Sequence, residues 1–225
     1  MIFPRLAPLV LSAALFIAAP TLLFTPVTAS AQVAAPSAAP SAASAGDAAA
    51  APFVQSLAND AFAVLRDKSL AKTASRNKFR TLLQRNVALE DIGNRLIRRH
   101  RAAITPAQYT AYQAALPEFV LNAYADRLYD YSDASVKTIR SVGRGPYTDV
   151  FTRVTRPGAQ PVDAVWQIKK VGARYMVNNL TVSGINLSLT QEADFNAYIQ
   201  KNGFDALVNF LKTANGKSAT LRSKA

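Results

Sequence analysis

Few residues in this chain of 225 could carry acid–base or metal chemistry. His100 is the only histidine and lies in the basic segment RLIRRHRAA, so we interpret it as part of a solvated helix end. Asp126, Asp130 and Asp133 lie near the end of a predicted helix and could be imagined as metal ligands. Arg127 lies among them and no glycine-bearing calcium loop accompanies them, so a solvated face or a partner for the basic segment fits better.

Other patterns of catalytic chemistry are missing from the sequence. It has no glycine-rich phosphate loop, no G-x-S-x-G, no H-E-x-x-H and no cysteine, which excludes thiol catalysis and disulfides. We therefore predict no catalytic residue, no metal site and no cofactor, in a protein that is not an enzyme. The alternative is an enzyme that uses one carboxylate with a shifted pKa inside an apolar cavity, and the sequence offers no candidate for it.

The most distinctive apolar pattern is EFVLNAYADRLYDYSDASVKTI, where a helical period gives way to a strand-like one. Leu121, Tyr124, Leu128 and Tyr131 fall on one helix face, because residues three and four apart stack on the same side. This stripe is either ordinary filled core or part of a pocket wall with the tyrosine hydroxyls at its wetter edge. In the first case a charged residue at Leu128 unfolds the domain.

Helices are predicted throughout the first half of the chain. Thr105 and Pro106 start a long helix as N-cap and first helical residue, and it runs toward Tyr131 with a kink or break at Pro117. Three shorter amphipathic stripes precede it, the last ending in RRHR: Phe53, Leu57, Ala61 and Val64 or Leu65; Phe79, Leu82 and Leu83; and Leu89, Ile92, Leu96 and Ile97.

The second half changes to a strand-like period. SVKTIRSV, TDVFTRVTR, VDAVWQIKKV and RYMVNNLTV are rich in β-branched and aromatic residues, with turn segments between them, and the short helices TQEADFNAYIQKNG and GFDALVNFLKT follow. The predicted fold is therefore α+β: a four-stranded, antiparallel-rich, curved sheet wrapped by helices, a cone-like and NTF2-like domain that encloses an apolar cavity. The sheet residues predicted to face one way are Val150, Val154, Trp166, Ile168 and Val177.

The first residues predict export. Arg5 is followed by an almost unbroken apolar run, Leu6–Phe24, and a small-residue cleavage site ends at Ala31, so residues 1–31 are interpreted as a secretory signal peptide. An uncleaved membrane anchor is the alternative, since the run nearly reaches the about 20 residues that span a bilayer. The remaining chain is divided into a flexible Ala/Pro/Ser-rich linker at 32–52, one domain at 53–213 and a basic flexible tail at 214–225.

The chain is strongly basic, with a formal charge of +12, and it loses only Arg5 with the signal peptide. In an exported protein this charge points to anionic membrane surfaces or acidic protein partners. Basic residues concentrate between Arg66 and Arg101, where Phe79 is the only aromatic residue. Nucleic-acid binding would need interleaved aromatic residues and is not expected. The cluster is either a solvated face or a docking surface for acidic headgroups or an acidic partner.

Three segments carry a family resemblance: ITPAQYTAYQAALPEFVLNAYADRLYDY, RYMVNNLTVSGINL and DFNAYIQKNGFDALVNFL. In order and spacing they resemble the MlaC-type periplasmic phospholipid-binding proteins, also called the toluene-tolerance auxiliary-component family, to which HpnM of hopanoid-producing bacteria is related. The resemblance covers about residues 53–212. Tyr175 stands at the family's Trp position, and Asn179, Ser183 and Asn186 also depart from its pattern, so an HpnM-like, hopanoid-associated branch is the alternative.

The resemblance implies a periplasmic shuttle that carries phospholipid between an inner-membrane ABC transporter complex and an outer-membrane lipoprotein complex, with acyl chains inside the cone and the headgroup outside. We expect a monomer with transient membrane-surface contact. A further alternative is an envelope interaction module with a filled core, which predicts no co-purifying ligand. The predicted wall of the lipid cavity is apolar and consists of Ile92, Leu96, Leu121, Tyr124, Leu128, Tyr131, Val150, Val154, Trp166, Ile168 and Val177.

Overall fold

A computed structural model describes residues 46–129 and 132–223, and this part of the chain forms six helices and one antiparallel sheet. The helices are α1 Ala50–Arg66, α2 Lys72–Asn86, α3 Leu89–Leu96, α4 Pro106–Tyr129, α5 Leu187–Asn202 and α6 Phe204–Ser223. The strands are β1 Ser135–Arg144, β2 Tyr147–Thr155, β3 Val162–Val171, β4 Arg174–Val182 and β5 Ile185–Asn186. The predicted α+β class is confirmed, and a two-residue fifth strand joins the four predicted ones.

Each strand of the sheet pairs with its neighbour in sequence, in the order β1-β2-β3-β4-β5. The tight turns from β1 to β2 and from β3 to β4 contain Gly145 and Gly172, whose φ angles of 58° and 59° lie in the left-handed region that favours glycine. Both turns lie at one end of the sheet, which we call the hairpin end. At the opposite end, called the open end, β1 and β3 begin while β2 and β4 finish.

The strand register places the predicted sheet residues on one face. Val150 is opposite Trp166, and Ile168 is opposite Val177; directly paired residues share a face because side chains alternate along each strand. Helix α1 lies on this face. Its residue Val54 packs against the sheet residues Val150, Ile168 and Val177. We call this side of the sheet the helix-facing side.

Helix α1 is also fastened to the exposed edge of β1. The side chain of Gln55 donates to the Val136 carbonyl oxygen (2.9 Å) and accepts from the Thr138 amide (3.2 Å). An edge strand leaves such backbone groups without a strand partner, so the glutamine amide satisfies two of them. This contact fixes the position of α1 against the start of the sheet.

A second apolar core, the helical core, lies among the helices. Its buried members are Leu96, Ile97, Tyr112, Ala115, Leu116, Phe195, Ile199, Phe204, Leu207, Val208 and Leu211. Tyr112 is fully buried and its hydroxyl donates to the Gly93 carbonyl oxygen (3.0 Å). A Cβ atom on Gly93 would lie 2.5 Å from Cδ2 of Leu116, so glycine allows the close approach of α3 and α4.

The long helix α4 starts as predicted. The Thr105 hydroxyl accepts from the Gln108 amide (3.2 Å), and Gln108 Oε1 accepts from the Thr105 amide (3.0 Å), which is a capping box. The helix continues through Pro117 to Tyr129, so the break considered at this proline does not occur. Buried residues flank it on both sides, Leu116 and Leu121, and their packing offsets the one backbone hydrogen bond that proline removes.

The predicted linker at 32–52 extends too far at its C-terminal end. Helix α1 already begins at Ala50, and Asp47 accepts hydrogen bonds from Lys170 Nζ (3.1 Å) and the Tyr175 hydroxyl (2.9 Å) at the hairpin end. The alanine-rich composition gave no indication that residues 46–52 contact the sheet, because a single aspartate, Asp47, makes most of the polar contacts. The predicted signal peptide and the rest of the linker lie outside the described residues.

The predicted flexible tail at 214–225 is also shorter than expected. Helix α6 continues to Ser223, and the Asn215 side chain donates to the Ala115 carbonyl oxygen (2.9 Å) on α4. The domain boundary at 213 therefore falls within a helix. Of the described helices, none combines the length and the apolar character needed to cross a membrane.

Candidate functional site

A cleft at the open end of the sheet lies between α1 and the start of β1. Its volume is about 250 Å³, and it is lined by Asn59, Phe62, Ala63, Arg66, Ser135 and Val136. Three of these residues are apolar and three are polar. Among the described residues the lining contains no carboxylate and no imidazole.

The helix-facing side of the sheet continues from this cleft and is covered unevenly. Val150 and Ile168, in the middle, are 0% and 2% exposed. Val154, which pairs with the cleft residue Val136, is half-buried, as is Trp166. The neighbouring residues on the same face are apolar and half-buried as well: Val162, Leu180 and Val182. An incompletely covered apolar surface therefore borders the cleft.

The predicted wall residues of the sheet are brought together by the structure, in two environments. Val150, Ile168 and Val177 form a closed core with α1. Val154 lies nearer the open end, and Trp166, level with Val150, packs at the margin of this core; both keep part of their surface exposed. As a ligand wall, the set stays a prediction, with Val154 and Trp166 as its most accessible members.

The predicted wall residues of the helices are distributed differently. Leu96 belongs to the helical core and Ile92 packs against it, which favours a structural role for both. Leu121 is buried on α4. The side chains of Tyr124 and Leu128 and the whole of Tyr131 lie outside the described part of the chain, so the predicted stripe on α4 stays a prediction.

Two threonines on the helix-facing side were missed by the sequence analysis. Thr148 and Thr152 alternate with Val150 and are buried. The Thr152 hydroxyl accepts from the Trp166 indole N–H (3.0 Å) and donates to the Ala164 carbonyl oxygen (3.3 Å). Strict alternation along TDVFTRVTR places both threonines on the same face as Val150. Because threonine carries a hydroxyl group, neither residue was counted among the apolar wall residues. The bond satisfies the indole N–H beside an apolar surface.

Charged groups at the open end surround the turn before β1. Arg66, the last residue of α1, donates from Nε to the Ser132 carbonyl oxygen (2.7 Å) and from Nη2 to that of Ala134. Arg156 Nε lies 2.7 Å from Asp133 Oδ1. The hydrogen bond from Arg156, with a smaller contribution from the charges of Arg156 and Arg66, lowers the pKa of Asp133 below its usual range.

Acidification is expected to destabilise the protein through such carboxylates. Asp133 and Asp163 both have a lowered pKa in the folded state, mainly because Arg156 and Arg153, respectively, donate hydrogen bonds to them. A lowered pKa contributes stability above the unfolded value of about 3.9, and this contribution is lost as the pH falls through the folded value. The melting temperature should therefore hold between about pH 7 and 5 and decline below about 4. Asp133→Asn is the control and should show a shallower decline; equal slopes would contradict the role of Asp133.

A second pocket, of about 260 Å³, lies at the hairpin end and is mostly polar. Its lining includes Asp47, Lys170, Tyr175 and Thr148. The Asp47 amide donates to the Thr148 hydroxyl (3.0 Å), and its carboxylate bonds Lys170 and Tyr175. This pocket is therefore attached to the N-terminal segment of the domain and is poorly suited to an acyl chain.

Members of the basic cluster from Arg66 to Arg101 make contacts within the domain. Several members connect helices to other elements: Arg80 to Glu118, Arg95 to the Asn178 carbonyl oxygen (3.2 Å) and Arg98 to Glu192 (2.7 Å).

Helix α3 ends at Leu96 and residues 97–103 form turns, so RRHR is not a helix end as predicted. His100 Nε2 lies 2.9 Å from the Asn196 side-chain oxygen. Within the described residues no group of His, Cys, Asp and Glu side chains could hold a metal ion.

Comparison with known proteins places these features in a family. The family model described as MlaC protein matches residues 55–213, which include most of α1, the whole sheet and half of α6. This chain belongs to the MlaC family. A solved structure with the same fold is a phospholipid-binding protein from Ralstonia solanacearum in complex with a phospholipid; it is 21% identical, with a TM-score of 0.65, and the match covers 76% of this chain and 98% of that one. The MlaC match includes the cleft and the apolar surface beside it.

Proposed function

We propose that this MlaC-family protein binds phospholipid at the open end of its sheet and shuttles it across the periplasm. The observation that carries the proposal is the pair of half-buried apolar residues, Val154 and Val162, that continues across the sheet from the cleft residue Val136. Support comes from the family and from the Ralstonia solanacearum protein of the same fold, which is in complex with a phospholipid. Its donor and acceptor would be an inner-membrane ABC transporter complex and an outer-membrane lipoprotein complex.

Apolar burial is sufficient to hold such a ligand without any reaction. Each methylene removed from water contributes about 0.8 kcal/mol, so one chain of about 16 carbons represents on the order of 12 kcal/mol. The cleft of about 250 Å³ is smaller than the roughly 300–1,000 Å³ of typical small-molecule sites. We therefore propose that the acyl chains also spread over the sheet surface around Val154 and that the cleft widens when lipid enters.

The other parts of the proposal concern where and how the protein works. Cleavage after Ala31 would release a soluble periplasmic monomer that contacts membranes transiently. The protein would act as a carrier and not as an enzyme, because apolar burial alone holds the ligand, and that ligand would be the transported lipid rather than a cofactor. The substitutions at Tyr175 and its neighbours keep a hopanoid cargo as the second candidate.

Mass spectrometry of the organic extract tests the proposal. The full chain is exported with its own signal peptide, purified without detergent and extracted. We expect phospholipid in near-stoichiometric amount. Hopanoid in its place would support the second candidate. A folded protein that carries no lipid and takes up none from added phospholipid would contradict both and favour an envelope interaction module.

A further inference from the structure

Arg66 places a positive charge directly on the wall of the cleft, beside its apolar residues. It is the last residue of α1, its side chain is exposed, and it lines the cleft together with Phe62 and Val136. A ligand that fits this environment combines an apolar chain with an anionic group, because the two kinds of surface are adjacent. A phospholipid has this combination at the junction of its acyl chains and its phosphate.

The Arg66 guanidinium is held in position by neutral groups. It donates to the carbonyl oxygens of Ser132 and Ala134, and its Cζ lies 5.3 Å from the centre of the Phe62 ring. These bonds use two of the five N–H groups that a guanidinium carries. The remaining groups form no other hydrogen bond within the described part of the chain, and little side-chain freedom is left to lose on binding.

Two arginines near the open end have their charge compensated by a carboxylate. Arg153 pairs with Asp163 at 2.8 Å, and Arg156 pairs with Asp133 at 2.7 Å. Among the described residues Arg66 forms no such pair; Asp133 is near enough to be influenced by its charge but is bonded to Arg156. The Arg66 charge is therefore oriented and uncompensated by a direct partner, which is the condition for binding an external anion.

We propose that Arg66 binds the phosphate of the lipid headgroup and makes the site selective for phosphate-bearing lipids over neutral ones. The proposal rests on the proposed function of lipid binding and names the group that recognises the headgroup. The planar guanidinium can donate two parallel hydrogen bonds to phosphate oxygens, which a lysine ammonium cannot reproduce. Beside an apolar wall these bonds are less screened than in bulk water.

The test compares two lipids that differ only in the headgroup. Mature protein is titrated with a short-chain phosphatidylglycerol and with the diacylglycerol that carries the same two chains, both below their aggregation concentrations. Wild-type protein should prefer the phospholipid. Arg66→Gln should reduce the ratio of the two affinities by roughly tenfold or more, and Arg66→Lys should reduce it less. The ratio is insensitive to the folded fraction, because unfolding lowers both apparent affinities together.

Arg174→Gln is the matched control. Arg174 is also exposed and donates to a backbone carbonyl oxygen, that of Arg85 (2.9 Å), but it lies at the hairpin end. Its substitution should leave the ratio unchanged. Inorganic phosphate alone should compete weakly, since it lacks the acyl chains; competition as strong as that of the phospholipid would overturn the headgroup assignment in favour of a free-phosphate site.

The outcomes separate this inference from the proposed function. If wild-type protein binds both lipids and Arg66→Gln leaves their ratio unchanged, the role of Arg66 is overturned while lipid binding stands. If wild-type protein binds neither lipid, the proposed function fails and the inference fails with it. A reduced ratio in Arg66→Gln together with an unchanged ratio in Arg174→Gln supports the assignment.

Discussion

A Val154→Asp protein is expected to remain folded and to lose its bound lipid. Val154 is half-buried, it lies on the helix-facing side of β2, and it pairs with Val136 of the cleft. In the lipid-free protein the new carboxylate can keep contact with water, so its cost to folding is moderate. Bound acyl chains would remove that water and leave the charge without a partner. Lipid content per folded protein, measured after extraction, should fall by at least about tenfold.

Val150→Asp on the same face of the same strand is expected to behave differently. Val150 is 0% exposed and packs against α1 and β3, so its carboxylate would be buried in the unliganded protein as well. The cost should exceed about 4 kcal/mol, a large part of the about 5–15 kcal/mol that stabilises a domain. Circular dichroism should then show an unfolded chain.

Val171→Asp provides the matched control with the same substitution. Val171 is 47% exposed at the hairpin end of β3 and, by strand alternation, points away from the helix-facing side. Both its stability and its lipid content should equal those of the wild type. If Val154→Asp instead unfolds the protein as Val150→Asp does, the surface near Val154 is filled core and not a ligand wall.

The sheet could be predicted closely because its local signals agree with its packing. Alternation in VDAVWQIKKV and RYMVNNLTV, with Gly172 between them, gave both strands and their turn, and β3 and β4 have the predicted bounds. Thr105 and Gln108 likewise act locally within one helical turn. Such features depend on residues that are neighbours in sequence, so the chain alone contains them.

The features that escaped prediction depend on contacts between distant segments. Asp47 is attached by residues more than a hundred positions away, and an alanine-rich composition carries no sign of it. Arg66 could be seen only as one member of a basic run, because its role depends on the carbonyl groups before β1. An apolar stripe shows that Leu96 is buried but not which element covers it.

Because Leu96 lies in the helical core, we expect its truncation to cause a large loss of stability. Leu96→Ala should lower the free energy of unfolding by about 2–5 kcal/mol, because it leaves a cavity in a closely packed core. Leu96 is 2% exposed and belongs to the helical core around Tyr112 and Leu116. Lipid content per folded protein should be unchanged, since this core is separate from the sheet core beside the cleft. Urea unfolding and lipid extraction on the same preparation measure both quantities.

Trp166→Ala is the counterpart at the apolar surface. Its indole is half-buried, so its loss removes less packing than a fully buried aromatic residue would, and it leaves the Thr152 hydroxyl without the indole donor. Stability should decrease less than in Leu96→Ala, whereas lipid content per folded protein should fall clearly, because a large, partly exposed apolar contact on the helix-facing side of the sheet is lost. Leu96→Ala should thus lower mainly the stability, whereas Trp166→Ala should lower mainly the lipid content. A loss of lipid in Leu96→Ala that matches the loss in Trp166→Ala would show that the ligand reaches the helical core, and would restore Leu96 to the cavity wall as the sequence pattern predicted.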